Sequence, residues 1–72
     1  MENFGTRLKK LRMKNGLNQK YMADMLGISL RTYQTYEYSE SYPIFVNLIA
    51  LADYFDVSLD YLVGRSDVRE RR

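Results

Sequence analysis

Leu17-Asn18-Gln19-Lys20-Tyr21-Met22-Ala23-Asp24-Met25-Leu26-Gly27-Ile28-Ser29-Leu30-Arg31-Thr32-Tyr33-Gln34-Thr35-Tyr36-Glu37 is the stretch that decides the fold. Asn18 stands where it can cap a helix whose Met22, Ala23 and Leu26 fall on one face. Gly27 supplies the break, because a residue without a Cβ tolerates the left-handed conformation of a tight exit. Ser29 then caps a second helix, in which Tyr33 and Tyr36 lie three apart and turn inward. That leaves Leu30, Arg31, Gln34 and Thr35 on its outer surface.

Working outward, Phe4, Leu8 and Leu11 repeat at helical spacing with basic residues between them, so residues 3–14 read as an amphipathic helix closed by Asn15-Gly16. After Glu37, residues 38–42 show no period and form a loop. Pro43 suits the first turn of a new helix, where its missing N–H is not needed. Phe45, Leu48, Leu51, Ala52 and Phe55 make that helix's inward stripe, and it runs to Tyr54 or Phe55. Ser58 caps a last helix seated by Leu59 and Leu62 and ended by Gly64. The period-2 signal of strands is absent. The reading is therefore all-α: one compact five-helix domain over residues 1–66, followed by a charged, frayed, solvated tail over 67–72 whose one apolar residue is Val68.

A chain of 72 residues with 46% apolar and 28% charged composition has room for one core and the means to fold it. It has no cysteine, so disulfides, thiolate metal sites and cysteine nucleophiles are excluded; the absence fits a reducing cytoplasm, which is the expected location. With no histidine either, and no glycine loop with lysine to cradle phosphate, neither an enzyme nor a metal or cofactor site is expected. No apolar run approaches the roughly 20 residues needed to cross a bilayer. The formal charge of +2 is small, but it is unevenly spread. Arg7, Lys9, Lys10, Arg12, Lys14 and Lys20 face only Glu2 in the first 20 residues, whereas Asp24, Glu37, Glu40, Asp53, Asp56 and Asp60 outnumber Arg31 over residues 21–64. Such a basic front fits a polyanionic partner.

Two short helices joined by a glycine-containing turn, the second with a polar outer face, fit the helix-turn-helix of DNA readers. Gly16-Leu17-Asn18-Gln19, Met22-Ala23, Leu26-Gly27-Ile28-Ser29, Thr32-Tyr33 and Tyr36-Glu37 resemble the signature of the XRE, or lambda-repressor-like, family. Pro43, Leu48, Leu51-Ala52-Asp53-Tyr54-Phe55, Val57-Ser58-Leu59-Asp60 and Leu62 continue the resemblance, which covers residues 4–66. It implies a lambda-repressor-like domain whose third helix enters the major groove of double-stranded DNA while the second lies across the backbone. Arg31 can give two donors to guanine O6 and N7, and Leu30, Gln34 and Thr35 meet other base edges. Gln19 matches a glutamine that the family sets against the DNA backbone, and Asn18, Ser29 and Thr32 are the further expected phosphate contacts. The resemblance also pairs Arg12 with Glu37, a structural contact that keeps both off the DNA. Tyr33, Tyr36, Tyr54 and Tyr61 read as core and interface residues rather than base-stacking platforms.

In place of the small polar, glycine and basic residues usual in the family after Tyr36-Glu37, this chain has Tyr38-Ser39-Glu40-Ser41-Tyr42, with an acid where a cation meets phosphate. Ile44, Val46 and Ile49 lie off the inward stripe, and an exposed apolar patch on so small a chain suggests an interface. The expectation is a homodimer through the fourth and fifth helices, with Tyr61, reading a palindromic operator as a transcriptional repressor. Two other uses remain open on the sequence alone: an antitoxin or restriction-modification controller of the same fold, and a protein-interaction module without DNA readout.

Overall fold

The computed structural model describes residues 2–71. Met1 and Arg72, the outer ends of the expected domain and tail, lie outside the described residues. Those residues form five helices and no strand: α1 Phe4–Lys14, α2 Gln19–Leu26, α3 Leu30–Glu37, α4 Phe45–Phe55 and α5 Leu59–Leu62. Side chains placed just ahead of four helices set where they begin. Asn3 accepts from the Thr6 N–H at 2.9 Å, Asn18 from Tyr21 at 2.7 Å, Ser29 from Thr32 at 3.1 Å and Ser58 from Tyr61 at 3.0 Å. Each satisfies a donor that the first turn leaves without an intrahelical partner. Gly27 has φ +69°, and this left-handed residue turns the chain from α2 into α3 within three residues.

Phe4, Leu8 and Leu11 of α1 pack with Met22, Ala23, Tyr33, Tyr36, Leu51, Ala52, Phe55, Val57 and Leu62 in one core to which all five helices contribute. The packing holds α3 by its inner side against α1 and α2. Among the described residues no helix is long and apolar enough to cross a membrane.

Three features differ from the sequence reading. The α4 helix begins at Phe45 rather than Pro43, because Ile44 is extended, with φ −62° and ψ 159°, and offers no capping side chain. Phe45 stands 67% exposed instead of joining the inward stripe. Three residues before Leu48, it lies at the edge of the buried face, in a first turn that the core does not reach. Arg7, one of the cations of the basic front, is only 4% exposed. It donates to the carbonyls of Tyr61 at 3.1 Å and Ser66 at 2.8 Å, and pairs with Glu2 and Asp67. Its guanidinium also lies 4.0 Å over the Tyr61 ring, so it clamps α1 to the end of α5.

The segment after α5 is mostly exposed, yet it is tethered to the domain rather than frayed. The Ser58 N–H and hydroxyl donate to the carbonyls of Arg69 and Val68 at 2.8 and 3.0 Å, and Arg71 reaches the Ala52 carbonyl at 3.0 Å and the Asp53 carboxylate.

Candidate nucleic-acid interface

The first turn of α3 faces outward. Ser29, Leu30, Arg31 and Thr32 are exposed, and Gln34 and Thr35 are half buried farther along the same helix. Arg31 makes no ion pair with the described residues, so its guanidinium is free to meet an external acceptor. The Ser29 hydroxyl donates to the Thr32 hydroxyl at 3.0 Å, which leaves the Thr32 proton for a further acceptor. The Thr35 hydroxyl donates to the Thr32 carbonyl at 2.6 Å and lies 2.6 Å from the Ser41 hydroxyl. Its proton is therefore engaged within the protein, and its methyl and remaining lone pair are what it can offer outward.

Behind this surface sits one buried carboxylate. Glu37, at the end of α3, has a side chain 1% exposed. It accepts from Arg12 Nε at 2.6 Å and Nη2 at 3.1 Å, from Gln19 Nε2 at 3.0 Å and from the Tyr33 hydroxyl at 2.6 Å. A third donor of Arg12 meets the Leu17 carbonyl at 2.9 Å. One acid thus ties α1, the start of α2 and α3 together, in a two-pronged pairing of guanidinium with carboxylate. The Arg12–Glu37 pair is the structural contact that the sequence implied. Burial by itself would raise the Glu37 pKa, but the hydrogen bonds from Arg12, Tyr33 and Gln19 outweigh it and hold the carboxyl below its ordinary range. The bond to Glu37 likewise raises Arg12, while burial, then Glu37, push Tyr33 up, so its phenol stays a donor.

Gln19 is half buried at the head of α2. Besides donating to Glu37, it accepts from Gln34 Nε2 at 3.1 Å. Asn18 is exposed beside it, its side-chain oxygen occupied by the cap. The eight expected contact residues lie at the starts of α2 and α3 and along α3, five of them exposed and three partly sheltered. Sequence reasoning missed the Gln19–Gln34 bond and with it the extension of the Glu37 hub to the surface. Gln34 and Glu37 lie three apart on one helix face, but nothing local marks their link to a residue in another helix.

Charge is less available here than the sequence suggests. Arg7 and Arg12 are used inside, Lys10 pairs with Glu2 and Lys20 with Asp24, leaving Lys9, Lys14 and Arg31 as exposed cations of this half without an ion pair among the described residues. The acidic loop folds back on α3: the Glu40 and Ser41 N–H groups donate to the Thr35 carbonyl at 2.9 and 3.4 Å. This caps the end of the helix and leaves the Glu40 side chain in solvent.

The pattern of the helix-turn-helix family matches residues 8–62. The chain is 42% identical over 59 residues to the cryptic phage CTXphi transcriptional repressor RstR of Vibrio cholerae, covering 82% of this chain and 53% of that protein. It is 41% identical over 64 residues to the HTH-type transcriptional regulator AnsR of Bacillus subtilis, covering 89% and 55%. It thus spans about half the length of the curated relatives it matches. Among solved structures, the P22 c2 repressor in complex with a synthetic operator superposes with a TM-score of 0.81 at 30% identity, over 92% of this chain and 100% of that one. A transcriptional regulator from Listeria innocua gives 0.82 at 37% identity, over 86% and 58%.

Proposed function

Because the chain belongs to the helix-turn-helix family of XRE and lambda-repressor type, we propose that it is a sequence-specific regulator of transcription, a repressor, that reads duplex DNA with α3. The observation that carries the reading is Arg31, an exposed guanidinium without an ion pair among the described residues, in the first turn of a helix whose inner side is locked to the core. A guanidinium so placed matches the paired acceptors of guanine in the major groove. Leu30 fits a thymine methyl, and Gln34 and Thr35 face neighbouring base edges. Asn18, Gln19, Ser29 and Thr32, at the two helix starts, suit phosphate, where backbone N–H groups and helix dipoles favour an anion.

Selection of bound duplexes from a random pool tests this directly. The wild type should enrich one motif, and Arg31→Ala should lose about 1–3 kcal/mol of discrimination at a single guanine position while binding random DNA nearly as before. Equal losses on specific and random duplexes would assign Arg31 to the phosphates instead.

The exposed apolar side chains at the start of α4 and just before it support a homodimer. Ile44, Phe45 and Val46 are each at least 67% exposed, and Ile49 continues the patch one turn on. Tyr61 is half buried with one ring face under Arg7, so the patch is centred on α4 rather than shared equally with α5. A two-fold pairing there would set two copies of α3 roughly 34–36 Å apart, matching a palindrome with one helical turn between half-sites. Val46→Asp should convert a sedimenting dimer to monomer and weaken binding to the palindrome more than to a half-site. A wild type that stays monomeric both free and on the palindrome removes the dimer. A regulator that reads duplex DNA in this way would work in the cytoplasm.

A further inference from the structure

Resting on the reading of α3 as the DNA reader, we infer that the chain Glu37–Gln19–Gln34 makes Gln34 a reader of adenine and turns it against guanine. An ionised carboxylate can only accept hydrogen bonds, so Gln19 must turn its amide nitrogen to Glu37, as it does at 3.0 Å. Its oxygen is thereby turned away from Glu37. An amide oxygen also only accepts, so Gln34 must present nitrogen to it, as it does at 3.1 Å. The sense of the buried charge is carried in two steps to the outer side of α3.

What remains free on Gln34 is its oxygen and its second N–H. Adenine shows the groove a donor, N6, beside an acceptor, N7, which one acceptor and one donor complement. Guanine shows two acceptors, O6 and N7, and would need both N–H groups of Gln34, one of which Gln19 holds. Reversing the Gln34 amide would set two amide oxygens against each other. Glu37 and Gln19 are thus positioning residues for base choice, and neither has to touch a base.

The test compares duplexes selected from a random pool by the wild type, Gln34→Ala and Gln19→Met. Dissociation constants are then measured for adenine and guanine at the position that Gln34→Ala ceases to specify. Methionine keeps the length of Gln19 and breaks both steps of the relay, while Arg12 and Tyr33 still satisfy Glu37. The expected result is a fall of about tenfold in the adenine-to-guanine preference for Gln19→Met, with no further fall when it is combined with Gln34→Ala. Gln19→Leu, which also removes both steps while leaving Glu37 to Arg12 and Tyr33, should show the same loss and serves if Gln19→Met does not fold. A uniform loss on every duplex with the preference intact would make Gln19 a phosphate contact only, overturning the inference but leaving DNA readout standing. A selected motif unchanged in Gln34→Ala overturns it as well. A wild type that enriches no duplex overturns both.

Discussion

Glu37→Ala is expected to lower the free energy of unfolding by about 3–5 kcal/mol, read as a fall in the urea midpoint at unchanged slope. The carboxylate is the acceptor for four donors from three residues, and two of these, Arg12 and Tyr33, have little other recourse. Arg12 keeps the Leu17 carbonyl, but most of its charge is left facing a cavity, and the buried Tyr33 hydroxyl loses its partner. Small domains are marginally stable, with roughly 5–15 kcal/mol in all, so the variant would lose a large share of its stability. The same group gives the wild type an acid dependence. Because the folded-state pKa of Glu37 is depressed, its stabilisation is present in full above the ordinary glutamate range and is lost as pH falls through the folded value. The alanine variant should lack that part of the acid dependence. A variant as stable as the wild type at neutral pH would show that the hub contributes nothing to the fold.

Gly5→Ala should cost about 3 kcal/mol, at the upper end of what overpacking does. A Cβ at Gly5 would lie 2.4 Å from the Glu37 carbonyl oxygen and 2.5 Å from the Ser39 hydroxyl. The Ser39 side chain could rotate, at the expense of its 3.0 Å bond from the Gly5 N–H; the carbonyl belongs to the end of α3 and can yield only if the helix moves. The first-turn crossing of α1 and α3 would open, and the damage should reach binding as well as stability. Thermal unfolding and affinity for the selected duplex should fall together, in contrast to Arg31→Ala, which should leave unfolding untouched. An alanine variant with wild-type melting would mean that the two helices can separate freely.

The helices were legible because their signals are local. A capping side chain, a three-or-four-residue apolar repeat and a glycine at the exit sit within a dozen residues of one another, and Asn18, Ser29, Ser58 and Gly27 do what their types dictate. The start of α4 was misplaced because Pro43 permits a helix without compelling one, and the extended Ile44 comes between. Arg7 was misread for a different reason. A basic residue on an amphipathic helix is ordinarily solvated, and its burial here depends on carbonyls of Tyr61 and Ser66, more than fifty residues on, that no spacing rule connects. The outer face of α3 followed from Tyr33 and Tyr36 pointing inward, and Arg12–Glu37 from family likeness. The extension through Gln19 to Gln34 is a long-range contact between uncharged amides, which leave no mark on charge pattern or periodicity.

The most direct test of groove readout joins one atom of the protein to one atom of the base. In the selected duplex, the guanine that Arg31→Ala ceases to specify is replaced by 7-deazaguanine, which lacks the N7 acceptor, and affinities are measured for wild type and variant at one salt concentration. The wild type should lose about tenfold on the modified duplex, within the range for half or more of a two-pronged contact, while Arg31→Ala should bind both duplexes alike. Equal losses in the two proteins, or none in either, would contradict the placement of α3 in the major groove.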